Sequence, residues 1–421
     1  MEPGAPATAH LGQHVPALDG IRGVAILLVL LLHFSMETEY HSYAGWLYSR
    51  FAFAGWIGVD LFFVLSGFLI TGILLDAKGD DHRRRADPHY FRNFFTRRVL
   101  RIFPLYYGSL AVLFLVLPLF KPFQTPALQW VTGQQKWLWL YGANILIFMK
   151  KAWCLWTEWF VLNAFWSLAI EEHFYLLWPL VVFFLPRKWL LRVCLASLPF
   201  CFALRFVLCY HSPSFLLSGV LTPCRIDGLC FGALMALAIR EGSPRAAALR
   251  RAAPYLAVAF FLPLVPVFAK TNGTGTSRLD FWMQVAGHSL LALSFGFLIL
   301  TAAASPRRTP LVRLLSFPFL RSCGKYSYGM YVLHTLAYPW YIRFFPVDLY
   351  WQMVGHQLVA VWIHVAFSVG ATFCLAWLSW HLYEKHFLKL KRFFVPRRTV
   401  LVEHLGPVAP ILNHRLTYNY T

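Results

Sequence analysis

Charge is scarce in this chain of 421 residues: only 13% of them are Asp, Glu, Lys or Arg. A soluble domain needs about 25% to wet its surface, so a string of soluble globules is excluded. Other absences narrow the function. No Cys-x-x-Cys pair occurs, which removes the usual zinc and dithiol frameworks. No Gly-rich phosphate loop, HExxH zinc motif, GxSxG nucleophile elbow or long-period repeat is found. Neither a metal site nor a resident cofactor is therefore expected. The N-terminus has no basic leader and no clear small-residue cleavage site, so the first apolar segment reads as a retained helix, not a signal peptide. The eight cysteines fall mostly inside apolar runs, where they read as small buried hydrophobes.

What is abundant is apolar surface. Hydrophobic residues make up 58% of the chain and the mean hydropathy is +0.55. They gather in runs of about 18–25 residues, the length that crosses a hydrocarbon core of roughly 30 Å. The pattern predicts an all-α polytopic membrane protein of about ten transmembrane helices, near 19–35, 56–77, 102–120, 164–185, 189–209, 221–240, 253–269, 281–303, 326–342 and 357–383. The aromatic stretch from Trp137 to Phe148 is too short to span and is expected to be re-entrant or interfacial.

The net charge of +20 has a direction. If the N-terminus is inside and the spans alternate, 27 of the 38 Lys and Arg fall in inner segments and 8 in outer ones. The other three, Arg22, Arg205 and Arg225, lie within or at the edges of spans. That bias follows the positive-inside rule and places both termini in the cytoplasm. Spread over five connections, it does not form the single basic module that a nucleic-acid partner requires.

Ionisable groups at membrane depth cost about 3 kcal/mol or more and call for a partner or a function. The first helix carries two such groups, Arg22 and His33. Eleven residues apart, they differ by about 20° around the helix and roughly 16 Å along it, so they share a face. Asp60 on the second span and the adjacent Glu171 and Glu172 on the fourth are expected at the depth of His33. Arg225 and Asp227 stand two residues apart, as a candidate local ion pair. At the entry to the third span, Arg98 and Arg101 lie one turn apart with Arg97 beside them, a cluster suited to bidentate phosphate binding. A basic inner mouth suits a polyanionic donor such as acyl-coenzyme A, and a histidine with carboxylates near it suits a general base acting on a hydroxyl.

These residues stand in a recognisable order. Leu18-Asp19-Gly20-Ile21-Arg22-Gly23 leads to His33, and Gly58-Val59-Asp60-Leu61-Phe62-Phe63-Val64-Leu65-Ser66-Gly67-Phe68 follows. Next come Arg98-Val99-Leu100-Arg101-Ile102-Phe103-Pro104 and Trp166-Ser167-Leu168 with Glu171-Glu172-His173-Phe174-Tyr175. Arg225-Ile226-Asp227-Gly228, and Ser327-Tyr328 with His334, complete the set. Over residues 17–392 the chain resembles the bacterial acyltransferase-3 family, integral membrane proteins that O-acylate extracytoplasmic carbohydrates and some secondary metabolites. The resemblance implies a cytoplasmic segment 1–17, a transmembrane acyltransferase domain 18–392 and a cytoplasmic tail 393–421. It implies that His33 is catalytic and that Arg98 and Arg101 form the family's Arg-x-x-Arg element. Two departures stand out. His173 replaces a glutamine, and no SGNH-type hydrolase domain follows, which implies a stand-alone transferase or one served by a separate extracytoplasmic partner.

The expectation is a bacterial inner-membrane enzyme that moves an acetyl or other short acyl group from cytoplasmic acyl-CoA to a hydroxyl of an extracytoplasmic carbohydrate or glycolipid. Arg22, Arg98 and Arg101 would hold the donor, and His33 would act as base or carry the acyl group. Glu171, Glu172 or Asp60 would orient His33. Trp166, Ser167, Tyr175, Arg225, Asp227 and His334 would serve the acceptor or the structure. The main rival is a secondary transporter of an anion or sugar, against which stands the lack of an inverted repeat; a non-catalytic scaffold or receptor is a second.

Overall fold

A peptide group in hydrocarbon has no water to bond, so apolar runs of this length must fold as helices or close into barrels. The computed structural model describes residues 15–36, 38, 40, 42–79, 87–212, 215–270, 278–305 and 309–394, and there the helices prevail. Ten of them organise the molecule: α1 (Pro16–Ser35), α2 (Ile57–Lys78), α3 (Tyr90–Ala111), α4 (Phe165–Phe184), α5 (Arg187–His211), α6 (Ile226–Ile239), α7 (Pro244–Phe261), α8 (His288–Ala304), α9 (Pro318–Phe344) and α10 (Gln357–Ser379). The protein is an all-α polytopic membrane protein. Among the described residues, eight helical segments are long and apolar enough to cross a bilayer.

Two of the ten predicted spans depart from that standard. Helix α6 has 14 residues, about 21 Å of rise, short of the roughly 30 Å hydrocarbon core. Helix α9 has 27 residues but is too polar to be counted with the eight, carrying Arg321, Lys325 and Arg343 together with Ser327, Tyr328 and His334. Its polarity is tolerated because α1 and α10 flank it. The predicted boundary at residue 17 falls inside α1, which begins at Pro16; residues 1–14 and 395–421 lie outside the described part.

Helix α1 packs against α9 and α2 and also touches α8 and α10. Small residues set its distance from α9. A Cβ on Gly23 would stand 2.0 Å from the Leu320 carbonyl oxygen, and one on Gly324 would stand 1.9 Å from that of Asp19. Backbones can approach so closely only where no side chain intervenes.

Buried ion pairs knit the other helices. Arg225 Nη2 donates to Asp60 Oδ1 at 2.8 Å, and His288 Nδ1 meets the same oxygen at 3.2 Å. Arg205, fully buried, donates to Asp227 (2.9 Å), Ser289 Oγ (2.6 Å) and the carbonyls of Cys224 (2.5 Å) and Val285 (3.1 Å). The local Arg225–Asp227 pair is therefore not formed. Residues two apart point to opposite sides of a helix, and each finds its partner on another element.

The Trp137–Phe148 stretch forms two short helices, Gln135–Trp139 and Ala143–Lys150. Tyr106 and Tyr107 donate to the carbonyls of Leu138 (2.8 Å) and Trp139 (3.0 Å) in the last turn of the first of them. Leu138, Tyr141, Leu146 and Ile147 are buried, so the stretch is folded inward. Of the eight cysteines, five are buried and only Cys374 is exposed.

Removing one member of a buried ion pair strands the other. Arg205→Ala is expected to destabilise the protein by about 3–5 kcal/mol, seen as a large fall in melting temperature in detergent or nanodiscs. An unchanged melting temperature would show that Asp227 does not depend on Arg205.

Candidate active site

Two polar regions lie along α1. The first surrounds Arg22, whose Nη1 donates to Asp19 Oδ1 at 3.2 Å. Helix α3 brings Arg98 and Arg101 toward it, and α4 brings Glu171, so that the carboxylate has all three arginines as electrostatic neighbours. The Tyr175 hydroxyl donates to Glu171 Oε2 at 3.0 Å and also contacts Ser66 Oγ on α2. Arg98 lies over the rings of Phe94 and Tyr175, 5.8 Å from each centroid. Neither Arg98 nor Arg101 has a hydrogen bond or ion pair to a described residue. Arg22, Ser66, Arg98, Arg101, Glu171 and Glu172 are only half-buried although other helices stand around them.

The second region is a pair of histidines. His33 Nδ1 donates to the Val29 carbonyl at 2.8 Å. A carbonyl only accepts, so the neutral ring carries its proton on Nδ1 and keeps a lone pair on Nε2. His334 on α9 repeats the arrangement, with Nδ1 donating to the Met330 carbonyl at 3.1 Å and a buried Nε2 that has no partner. The two rings meet edge-on with centroids 4.9 Å apart. The Tyr331 ring stands 5.5 Å from His334, and its hydroxyl donates to the Ala164 carbonyl at 3.1 Å and contacts Ser167 Oγ at 2.5 Å. The close α1–α9 crossing thus sets histidine against histidine.

The carboxylates expected beside His33 are engaged elsewhere. Asp60 belongs to the Arg225–His288 cluster. Glu171 has the arginines as electrostatic neighbours, and Glu172, about 100° round the helix, has Tyr106, Tyr107, Tyr141 and Tyr328 as well as Arg98. Trp166 packs edge-on against Phe63 at 6.1 Å and lies 5.9 Å from the Arg225 guanidinium. Asp227 serves Arg205. His173, the departure from the family pattern, accepts or donates at 2.8 Å to Thr222 Oγ1, which also receives Asn144 Nδ2 at 2.9 Å. It therefore links α4 to the segment before α6 and to the short helices after α3.

With arginines at one end of α1 and an uncommitted imidazole nitrogen at the other, the decisive comparison is with families that share this order. The acyltransferase-3 model, an acyltransferase domain, matches residues 15–381. The chain belongs to the acyltransferase-3 family. The matched span holds every arginine, histidine and carboxylate described above. A protein of Bacillus subtilis (strain 168) named as a peptidoglycan O-acetyltransferase is 30% identical over 402 residues, 89% of this chain and 56% of that protein. An O-acetyltransferase of Staphylococcus aureus (strain NCTC 8325 / PS 47) is 28% identical, covering 93% of this chain and 61% of its own. A peptidoglycan O-acetyltransferase of Listeria monocytogenes serovar 1/2a is 28% identical, covering 90% and 56%. The chain thus spans little more than half the length of these acyltransferase-3 relatives. No solved structure matches.

Several residues of this acyltransferase-3 site escape a sequence reading. Ser66 and Tyr331 carry no charge, and nothing but the fold sets them beside Tyr175 and Ser167. Glu384 is buried on the turn Trp380–Glu384, accepts from Ser379 Oγ at 2.8 Å and is an electrostatic neighbour of Arg101. Lys391 stands near Arg97, Arg98 and Arg101, hidden in sequence among the other basic residues of the tail.

The cations of this cluster, Arg22, Arg97, Arg98, Arg101 and Lys391, outnumber the carboxylates near them, Asp19, Glu171, Glu172 and Glu384, and the excess positive charge opposes folding. Arg98→Gln and Arg101→Gln are each expected to raise stability without ligand by about 1 kcal/mol, an upward shift of roughly 1–2 °C in thermal melts at low ionic strength. A fall of several degrees would show the arginines to be structural anchors.

Proposed function

We propose that the protein is a membrane O-acyltransferase that moves an acetyl or other short acyl group from cytoplasmic acyl-coenzyme A to a hydroxyl of an extracytoplasmic carbohydrate. The observation that carries this reading is the polarity of α1: half-buried arginines with no carboxylate bonded to Arg98 or Arg101 at one end, and His33 with Nε2 uncommitted at the other. Its setting is the inner membrane of a bacterium, with the arginine end and both termini in the cytoplasm, in accord with the inward bias of Lys and Arg. The printed names of the relatives favour a cell-wall glycan as acceptor.

In this reading Arg22, Arg98 and Arg101 grip the donor phosphates, and the extended pantetheine arm runs along α1 for the roughly 16 Å that separates Arg22 from His33. The acceptor enters from the histidine end. There a cavity of about 240 Å³ opens beside Phe34, lined by Tyr338, Trp351, Asp348, Gln357 and His364. Aromatic faces with a few polar groups suit a sugar ring.

For transfer, His33 Nε2 accepts the hydroxyl proton as the oxygen attacks the thioester carbonyl carbon. The new C–O bond forms, the C–S bond breaks, and the thiolate leaves with the proton that His33 returns. Anchoring of Nδ1 on Val29 aims the reactive nitrogen away from its own helix. The adjacent His334 ring supplies a second lone pair beside the imidazolium formed during attack. An acyl-histidine route would use the same Nε2 as nucleophile.

A positioned general base contributes about 10²–10⁴-fold. His33→Ala is expected to lower transfer of radiolabelled acetyl from acetyl-coenzyme A to glycan by that factor, with the protein still folded and still binding donor. A stable His33→Ala protein with undiminished transfer would overturn the assignment.

A further inference from the structure

The chain does not leave the arginine cluster after α10. Following the turn Trp380–Glu384, the short helices Lys385–Lys389 and Leu390–Phe393 fold back against α3. Arg97 Nη1 donates to the Phe394 carbonyl at 3.4 Å, tying the end of this segment to the basic face of α3. Lys391 is thereby held, half-buried, with Arg97, Arg98 and Arg101 as its charged neighbours. Its ammonium has no hydrogen bond or ion pair to a described residue. Glu384, an acid of this neighbourhood, is bonded to Ser379 and adjoins Arg101.

A lysine on a flexible four-carbon stem can normally swing its ammonium into water, away from like charge. Here the backbone is fixed so that the ammonium joins three guanidinium groups, an arrangement that favours a multiply charged anion between them. We propose that Lys391 binds the 3′-phosphate of the donor nucleotide and so sets the preference of the site for coenzyme A over a donor that lacks this phosphate. The inference rests on the donor reading above.

The argument is one of charge and direction. A carrier-bound phosphopantetheine brings one phosphodiester, which Arg98 and Arg101 alone could satisfy. Coenzyme A brings a pyrophosphate and a separate 3′-phosphate, enough anion for the arginines and a further cation. The thioester must point along α1 toward His33, so the nucleotide lies at the opposite end. Lys391 sits there, on the segment that follows the last long helix. A phosphate of a lipid headgroup has the same chemistry as the 3′-phosphate, and the experiment has to separate the two.

The full-length protein in phosphatidylcholine nanodiscs is titrated calorimetrically with coenzyme A and with 3′-dephospho-coenzyme A. The wild type is expected to prefer coenzyme A about tenfold, the worth of one charge-assisted hydrogen bond. Lys391→Gln should abolish that preference while leaving the dephospho affinity unchanged, which also reports an intact fold, and Lys391→Arg should retain it. Equal affinity of the wild type for both ligands would overturn the proposal, as would equal loss of both in Lys391→Gln. So would loss of the preference when phosphatidylglycerol is added, which would make a lipid headgroup the occupant. Failure of the wild type to bind either ligand would instead sink the donor reading itself.

Discussion

A charge within a bilayer protein must be matched, and whether it is matched sorts this molecule into scaffold and site. Arg205 with Asp227, and Arg225 with Asp60 and His288, are matched by partners on other helices and surrounded by protein. They hold α2, α5, α6 and α8 together. Arg98, Arg101 and Lys391 have no such partner among the described residues. Three neighbouring cations with no bonded carboxylate favour an anion among them, which is the basis of the donor reading.

The same contrast holds for the histidines. His288 uses both ring nitrogens, on Asp60 and Gln284. His33 and His334 each commit only Nδ1, to a carbonyl of their own helix. The pairing of those two rings depends on the close passage of α1 and α9, which the glycines at 23 and 324 permit. Backbone proximity at one end of the crossing and imidazole proximity at the other are parts of one packing arrangement.

Much of this was legible in the sequence, and the limits are physical. Arg22 and His33 could be placed on one face because helical periodicity is local and rigid. Clustering of Arg98 with Arg101 followed from their spacing by one turn. Partners across helices could not be read, because the register between two helices is set by packing that leaves little trace in either segment. Thus Asp60 appeared available to His33 but lies with Arg225, and His334, 301 positions after His33, gave no sign of meeting it. Two of the ten expected spans stand apart for a related reason. Hydropathy marks segments that face lipid, whereas α9 is screened by its neighbours and α6 is short, so neither shows the full apolar length of a lipid-exposed span.

The central claim is that one helix joins a donor site on one side of the membrane to a transfer site on the other. The most direct measurement uses proteoliposomes of uniform orientation, with labelled acetyl-coenzyme A supplied on the arginine side and glycan on the histidine side. The account predicts free coenzyme A thiol on the arginine side and labelled glycan on the other, with no acetyl-coenzyme A crossing. Labelled glycan and free thiol on the same side would contradict it, as would passage of intact acetyl-coenzyme A through the protein.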